Sequence, residues 1–376
     1  MTPSLLCETV TGTTMADLIA ARDAVTGADM VELRIDGVRD VDVARALQGR
    51  RVPAIVTCRP SWEGGRFNGA EEERRRVLAE ALEQGAEYVD IEWRSLRVAG
   101  GAGLDDLLER HPERVIVSSH DFDGVPGDLA RQVSAMRRSG PAVIKVAMTP
   151  ARLSDTLVLR DIGRDGAAVV IGMGDAGMPT RLLASRFGSR WTYGGKGAVP
   201  GQVPVARMLE GFRFRSVGAQ TALYGVVGTD AVGSLVPAMH NAAFAAEGLD
   251  AVCVPLPADD FDDFSDFADA MGFAGAVATA SFTLGRPTVP VRFDERSARL
   301  GAATAVRRTT DGWEATYIGA REPVGAPGAQ GHHQGRVAEV EQQFAFWTGC
   351  RASAEVMRAA ARAEARSLGR TLGSEA

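Results

Sequence analysis

The sequence predicts an α/β protein, a closed (β/α)8 barrel followed by a smaller α/β domain. Three observations lead there. Eight short apolar runs alternate with helical stretches over the first 215 or so residues. A new strand–helix pattern begins near Gly218. The chain of 376 residues is also too long for one ordinary domain and suits two.

The strand candidates are runs rich in β-branched and aliphatic residues. In order they are SLLCETV (4–10), MVELRID (30–36), VPAIVTCR (52–59) and YVDIEW (88–93). VIVSSHDF (115–122), AVIKVAMT (142–149), AAVVIGMG (167–174) and WTYGG (191–195) complete the eight. Between them MADLIAARDAV (15–25), EEERRRVLAEALEQ (71–84), PGDLARQVSAMRRS (126–139) and PTRLLASRF (179–187) read as helices. An open doubly wound sheet is the competing topology, but no GxGxxG follows the first strand. Beyond Gly218, LYGVVG opens a second strand–helix pattern and AVCVPLPADD (251–260) holds its next strand. PVGAPGAQGHHQG (323–335) has the Gly, Pro and Gln content of a linker. A long Ala/Arg/Glu-rich helical pattern closes the chain from Arg336 to Arg370. The expected domains are therefore 1–217, 218–322, the linker 323–335 and a helical segment 336–376.

Composition narrows the classes. The net charge of −6 supplies no electrostatic attraction to nucleic acid or to an anionic membrane. Four scattered cysteines without CxxC spacing read as free thiols in a reducing compartment. The first residues lack the basic-then-apolar pattern of a signal peptide, and a cytoplasmic location is expected. His332 and His333 read as an incidental exposed pair, and no metal-ligand spacing is present.

Lysine usage is the sharpest chemical signal. Only Lys145 and Lys196 are lysines among 42 basic residues, and Lys145 lies within the apolar run AVIKVAMTP. A desolvated amine becomes a nucleophile that condenses with a ketone, which a guanidinium cannot do. The bland alternative is a strand-end lysine whose head snorkels to water. A barrel places its chemistry at the C-terminal strand ends, with inward residues at period two. There the sequence offers Glu32 and Arg34 on one face of their strand, Arg59 with Glu63 just beyond it, His120, and Arg181. Taken singly, His120 is more often a structural hydrogen-bonder, and Arg59 with Glu63 could be a surface ion pair.

Together VELRID, TCRPSWEGG, SSHDF, IKVAMTP and GAVPGQ resemble type I 3-dehydroquinate dehydratase, over residues 4 to about 213. The resemblance implies a Schiff base on Lys145, acid/base work by His120, and Glu63 orienting that histidine. It implies substrate-binding roles for Glu32, Arg34 and Arg59, a carboxylate-binding Arg181, and a closing-loop Gln202. It implies no cofactor, and 3-dehydroquinate as the small-molecule partner. The family commonly carries a hydroxyl residue where this chain has Ala198. That loss predicts weaker substrate binding and surviving chemistry.

Residues 223–319 resemble the substrate-binding domain of shikimate dehydrogenase, and QQFAFWTG (342–349) resembles the end of that enzyme. The resemblance places its catalytic lysine at Thr283 and its aspartate at Thr316, with Glu314 and Thr304 at asparagine positions. Ser234 survives from its substrate loop while its partner position is Val236, and Glu339 stands at a glutamine position. No lysine follows Lys196, and the space for a nucleotide-binding half is missing. This half is expected to be an inactive remnant with a structural, oligomerising or ligand-sensing role, a homodimer being one form the chain could take. A non-catalytic binding protein and a class I aldolase are the rival readings of the whole chain.

Overall fold

The computed structural model describes residues 3–97, 103–195, 201–280, 282, 287–319 and 337–370. It divides into two compact units, Met1–Pro150 with Val158–Val205, and Ala151–Leu157 with Ala206–Ala376.

In the first part of the chain, all eight predicted runs form strands. They are β1 (Leu5–Thr11), β2 (Met30–Arg34), β3 (Ala54–Thr57) and β4 (Tyr88–Glu92), then β5 (Val115–Asp121), β6 (Val143–Met148), β7 (Ala168–Gly172) and β8 (Trp191–Gly194). Helices α1 (Met15–Asp23), α2 (Val43–Leu47), α3 (Glu71–Glu83) and α4 (Leu104–Arg110) follow the first four. Helices α5 (Leu129–Arg138), α6 (Leu157–Gly163), α7 (Met178–Leu182) and α8 (Val205–Glu210) follow the others. The strands pair in parallel in the order β7-β6-β5-β4-β3-β2-β1-β8. The remaining seam is stitched at its start, where the Arg190 N–H donates to the Ala168 carbonyl at 2.9 Å. Beside it, Ser189 Oγ accepts the Val170 N–H at 3.1 Å and donates to the Trp191 carbonyl at 2.7 Å. This closes the parallel barrel that strand–helix alternation predicts.

Period two sorts the interior into layers. Cys7, Met30, Ile55, Ile116, Val143, Val169 and Trp191 form an apolar floor. Two residues further along the same strands stand Thr9, Glu32, Thr57, Ser118, Lys145, Ile171 and Tyr193. The change from apolar to polar happens at the C-terminal strand ends, where the barrel opens.

The second unit is built on a six-stranded mixed sheet in the order β10-β9-β11-β13-β14-β12. Its strands are β9 (Ala222–Val227), β10 (Ala251–Leu256), β11 (Phe273–Ala278), β12 (Val291–Phe293), β13 (Ala305–Thr309) and β14 (Gly312–Thr316). Helices α9 (Val236–Ala246), α10 (Phe261–Met271) and α11 (Glu295–Leu300) connect them. The closing pattern, predicted as one long helical run, is two helices, α12 (Val337–Thr348) and α13 (Ala354–Ser367). Gly349 takes a left-handed φ of 73° after α12, and the Ser353 side chain caps the new helix by accepting the Val356 N–H. Both helices bury their apolar faces within this unit. Val340, Phe344, Met357 and Ala361 join Tyr224, Met239 and Phe244 in one core, with Trp347 packed against it and Val356 half-buried. Trp347 stacks on Tyr224 with ring centroids 4.5 Å apart.

Candidate active site

One cavity at the open end of the barrel gathers every site residue that the sequence singles out. Lys145, His120, Glu63, Glu32, Arg34, Arg59, Arg181 and Gln202 all line it, with Thr9, Phe122, Met173 and Tyr193. Ala198 and Thr283, and the His332–His333 pair, lie outside the described residues.

Lys145 sits in mid-strand on β6 and is buried. Its Nζ donates to Glu32 Oε1 and to Asp90 Oδ2, each at 3.2 Å, and lies 4.2 Å from the centre of the Tyr193 ring. Glu32 is itself held by the Thr9 and Thr57 hydroxyls at 3.1 and 3.0 Å. Burial acts to raise the Glu32 carboxyl, yet Lys145 and Arg34 outweigh it and hold the group below the usual carboxylate range. Asp90 behaves alike: burial opposes its charge, and Arg59 with Lys145 hold it strongly ionised. Two carboxylates thus lie within hydrogen-bonding distance of the Lys145 amine.

His120 ends the inward row of β5. The turn Arg59–Phe67 carries Glu63 beneath it, folding back so that the Phe67 N–H donates to the Arg59 carbonyl at 3.1 Å. A Cβ at Gly65 would lie 2.0 Å from that carbonyl, so only glycine permits the turn to close this tightly. One Glu63 oxygen, Oε1, accepts the His120 main-chain N–H at 3.1 Å and lies 2.9 Å from Nδ1. With Nδ1–H donating to the oxygen that already accepts the main-chain N–H, Nε2 is left as the free base. Burial, then Arg59 and Lys145, hold the imidazole well below the ordinary histidine range. Burial also pushes the Glu63 carboxyl up to about 8 against the pull of Arg59. His120 is therefore neutral near pH 7.

The arginines divide by partner. Arg59 is held by Glu92 at 2.6 Å, Asp90 at 3.0 Å and Ser118 Oγ at 2.8 Å, and keeps further N–H donors on the cavity wall. Arg34 forks onto Asp36 at 2.8 and 2.9 Å. Arg181 differs. It is buried, its Nη1 reaches only the Tyr193 carbonyl at 3.4 Å, and its Nε has no partner. Among the described residues no carboxylate pairs with it, and burial draws it down to about 10. An unmatched buried guanidinium facing a cavity is a receptor for an anion. Gln202 hangs over the opening, its Nε2 donating to Thr9 Oγ1 at 3.2 Å.

Sequence reasoning passed over Asp90, Glu92, Ser118 and Tyr193. The signal for the first two was present: acids two apart in the apolar run YVDIEW share one face, as Glu32 and Arg34 do. Among the described residues no group of three His, Cys, Asp or Glu side chains is placed to hold a metal ion.

A closed parallel barrel whose open end surrounds a buried amine, a neutral imidazole and an unmatched guanidinium is the architecture of a barrel enzyme. The chain belongs to the type I 3-dehydroquinase family, whose model matches residues 6–219. It is 33% identical over 218 residues to a 3-dehydroquinate dehydratase of Methanococcus maripaludis, covering 55% of this chain and 97% of that protein. It is 32% identical over 327 residues to the bifunctional 3-dehydroquinate dehydratase/shikimate dehydrogenase, chloroplastic, of Arabidopsis thaliana. That match takes in 82% of this chain, beyond the barrel and into a shikimate dehydrogenase-like region, and the chain spans 54% of the plant protein. A solved 3-dehydroquinate dehydratase from Geobacillus kaustophilus HTA426 matches 55% of this chain and 89% of its own, at 27% identity and a TM-score of 0.48.

Proposed function

We propose that the chain dehydrates 3-dehydroquinate to 3-dehydroshikimate through a Schiff base on Lys145. The observation that carries this reading is the cavity itself, with Lys145 Nζ between two carboxylates and the buried, unmatched Arg181 on the same wall. The Lys145 amine, in its deprotonated form, adds to the ketone and expels water to give an imine protonated on nitrogen. The protonated imine acidifies the adjacent C–H, and His120 Nε2 takes that proton, leaving a neutral enamine. The enamine electrons expel the β-hydroxyl, which receives the proton back from the imidazolium and leaves as water. Hydrolysis of the imine frees the enone and restores the lysine. Arg181 takes the substrate carboxylate with its fork, while Glu32, Arg34, Arg59 and Gln202 take hydroxyls. Glu63 holds the tautomer that leaves Nε2 free.

The domain reading accompanies it: a dehydratase barrel over 1–217, a remnant over 218–322, a linker over 323–335 and a helical segment over 336–376. The remnant carries no dehydrogenase chemistry. Thr316 Oγ1 donates to Asp294 Oδ2 at 2.5 Å, Glu314 is taken by Arg292 and Arg307, and Thr304 exchanges bonds with the Ile318 main chain. The residues at those positions are used in local structure. Among the described residues no helix is long and apolar enough to cross a membrane. A cytoplasmic location is supported by four free thiols, three of them buried.

Mixing the purified protein with 3-dehydroquinate and following the conjugated-enone absorbance tests the reading. A steady rise is expected, with no consumption of added NADPH. Absence of the rise, or release of a smaller fragment by carbon–carbon cleavage, would replace it with the binding-protein or aldolase reading.

A further inference from the structure

The cavity lining does not contain every charge that shapes the site. Arg74, on α3, is fully buried and lies outside the cavity wall. A long cation sealed in a helix–barrel seam needs partners, and it has three. Its Nη1 donates to Glu92 Oε2, its Nη2 to Ser95 Oγ at 2.8 Å, and its Nε to Glu71 Oε2 at 2.8 Å. The other oxygen of Glu92 accepts Arg59 Nη1 at 2.6 Å. Arg59 Nη2 meets Asp90 Oδ2 at 3.0 Å, and that same oxygen accepts Lys145 Nζ. From α3 to the reactive amine the charges alternate in sign: Arg74, Glu92, Arg59, Asp90, Lys145, Glu32.

We propose that Arg74 is a positioning residue of this site, acting through Glu92 to set the orientation of Arg59. The proposal rests on the dehydratase reading, in which Arg59 meets substrate. Glu92 is wholly buried, burial favours its protonation, and Arg59 and Arg74 are the cations that oppose it most strongly. Without Arg74 one oxygen of Glu92 loses the donor that fixes the carboxylate, and the grip of the other oxygen on Arg59 loosens. Arg59 then keeps Ser118 and Asp90 and is free to swing toward Glu63, whose Oε1 already stands 4.0 Å from Nη1. Ser95 and Glu71 offer no substitute, because both face Arg74 and neither reaches Arg59. An ion pair that served stability alone would make none of these demands on substrate affinity.

Two variants of the full chain test this, Arg74→Met and Glu92→Gln, with Arg74→Lys as the rescue. Each is assayed with 3-dehydroquinate at a temperature where circular dichroism shows it folded. The wild type must turn over for the dehydratase reading to stand, so failure there is seen separately. Arg74→Met and Glu92→Gln are expected to raise KM about tenfold, the worth of one charge-assisted bond, with kcat within about threefold. Borohydride trapping at saturating substrate should persist in both, and Arg74→Lys should recover most of the KM. Should Arg74→Met not fold, Glu92→Gln decides alone, since it leaves Arg74 in place. A wild-type KM in Glu92→Gln, or in folded Arg74→Met whatever its melting temperature, would overturn the proposal and leave Arg74 a structural residue.

Discussion

His120, half-buried on its cavity, and His240, fully buried, stand one in each unit, and loss of solvent holds both below the ordinary histidine range, His240 at about 3. Their surroundings differ in kind. His120 is gripped at Nδ1 by Glu63 and lines a cavity with Lys145 and Arg181. His240 is packed among Phe244, Phe344 and Trp347, with its Nε2 3.4 Å from Gln343 Oε1. The same contrast runs through the buried polar groups of each unit. In the barrel Lys145, Glu32, Asp90 and Arg59 meet at one opening, and among the described residues no carboxylate pairs with Arg181 there. In the second unit they serve the chain. Asn241 accepts the Cys253 N–H at 2.7 Å and donates to the Gly211 and Cys253 carbonyls, each at 2.8 Å. Arg207 pairs with Glu364 at 2.6 Å, and Asp263 accepts the Leu153 and Ser154 N–H groups. Burial of charge is thus no sign of chemistry by itself. The sign is buried charge that its own neighbours leave unsatisfied beside open space.

The sharpest way to break this comparison is at the amine. Lys145→Arg keeps the charge and removes imine chemistry, so turnover should fall on the order of 10⁴-fold or more, with borohydride trapping abolished. In the wild type, one ligand mass should appear on the peptide carrying Lys145. Normal turnover by the variant would end the Schiff-base mechanism. His120→Ala should cost on the order of 10²–10⁴-fold in kcat, with imine trapping retained. A loss of only a few-fold would place His120 beside His240 as a structural group.

Glu63 gives a pH test. Folded, it holds its proton up to about 8, while an unfolded chain releases it near 4.5. Its contribution to stability is full below about 4.5 and is lost as pH rises toward about 8. Glu63→Gln should flatten melting temperature against pH over that window. An unchanged slope would mean that Glu63 is ionised throughout.

His240 should move stability and leave activity alone. Its folded value of about 3 lies below the unfolded 6.5, so the unfolded chain gains the proton first as pH falls. Between pH 6.5 and 5 this costs the second unit about 2 kcal/mol, at 1.36 kcal/mol per pH unit. His240→Leu should remove that acid loss, seen by denaturant titration at pH 7 and 5, with kcat/KM within about twofold. The smallest effect on chemistry is expected from deleting residues 336–376. That exposes the core around Met239 and Phe244, lowers solubility or changes the oligomer, and spares turnover per folded molecule. A truncated protein as stable and monodisperse as the full chain would mark α12 and α13 as dispensable.

Much of the barrel was legible because its signals are local. Strand runs of β-branched residues, a lysine inside one of them, and polar residues at period two can be read one segment at a time. Asp90 and Glu92 escaped notice although YVDIEW carries the same pattern as VELRID. The value of an acid depends on the cation opposite it, and Arg59 lies 31 and 33 residues away in sequence. Arg74 was less legible still, since an arginine in EEERRRVLAEALEQ looks like every other charge on an exposed face. The closing run was read as one helical stretch because composition is continuous across it. Gly349 and Ser353, which end one helix and cap the next, are single residues within that run.

By itself the sequence determined the alternation of strands and helices, the layer at which apolar interior gives way to polar, and the identity of the amine. Each follows from periodicity and from the chemistry of a residue type, which need no partner. The tertiary structure alone decided that Lys145 shares Asp90 with Arg59, that Glu63 stands 2.9 Å from His120 Nδ1, and that among the described residues no carboxylate pairs with Arg181. These are properties of pairs far apart in the chain. Barrel closure brings the pairs within hydrogen-bonding distance, and burial then makes each matched or unmatched charge count.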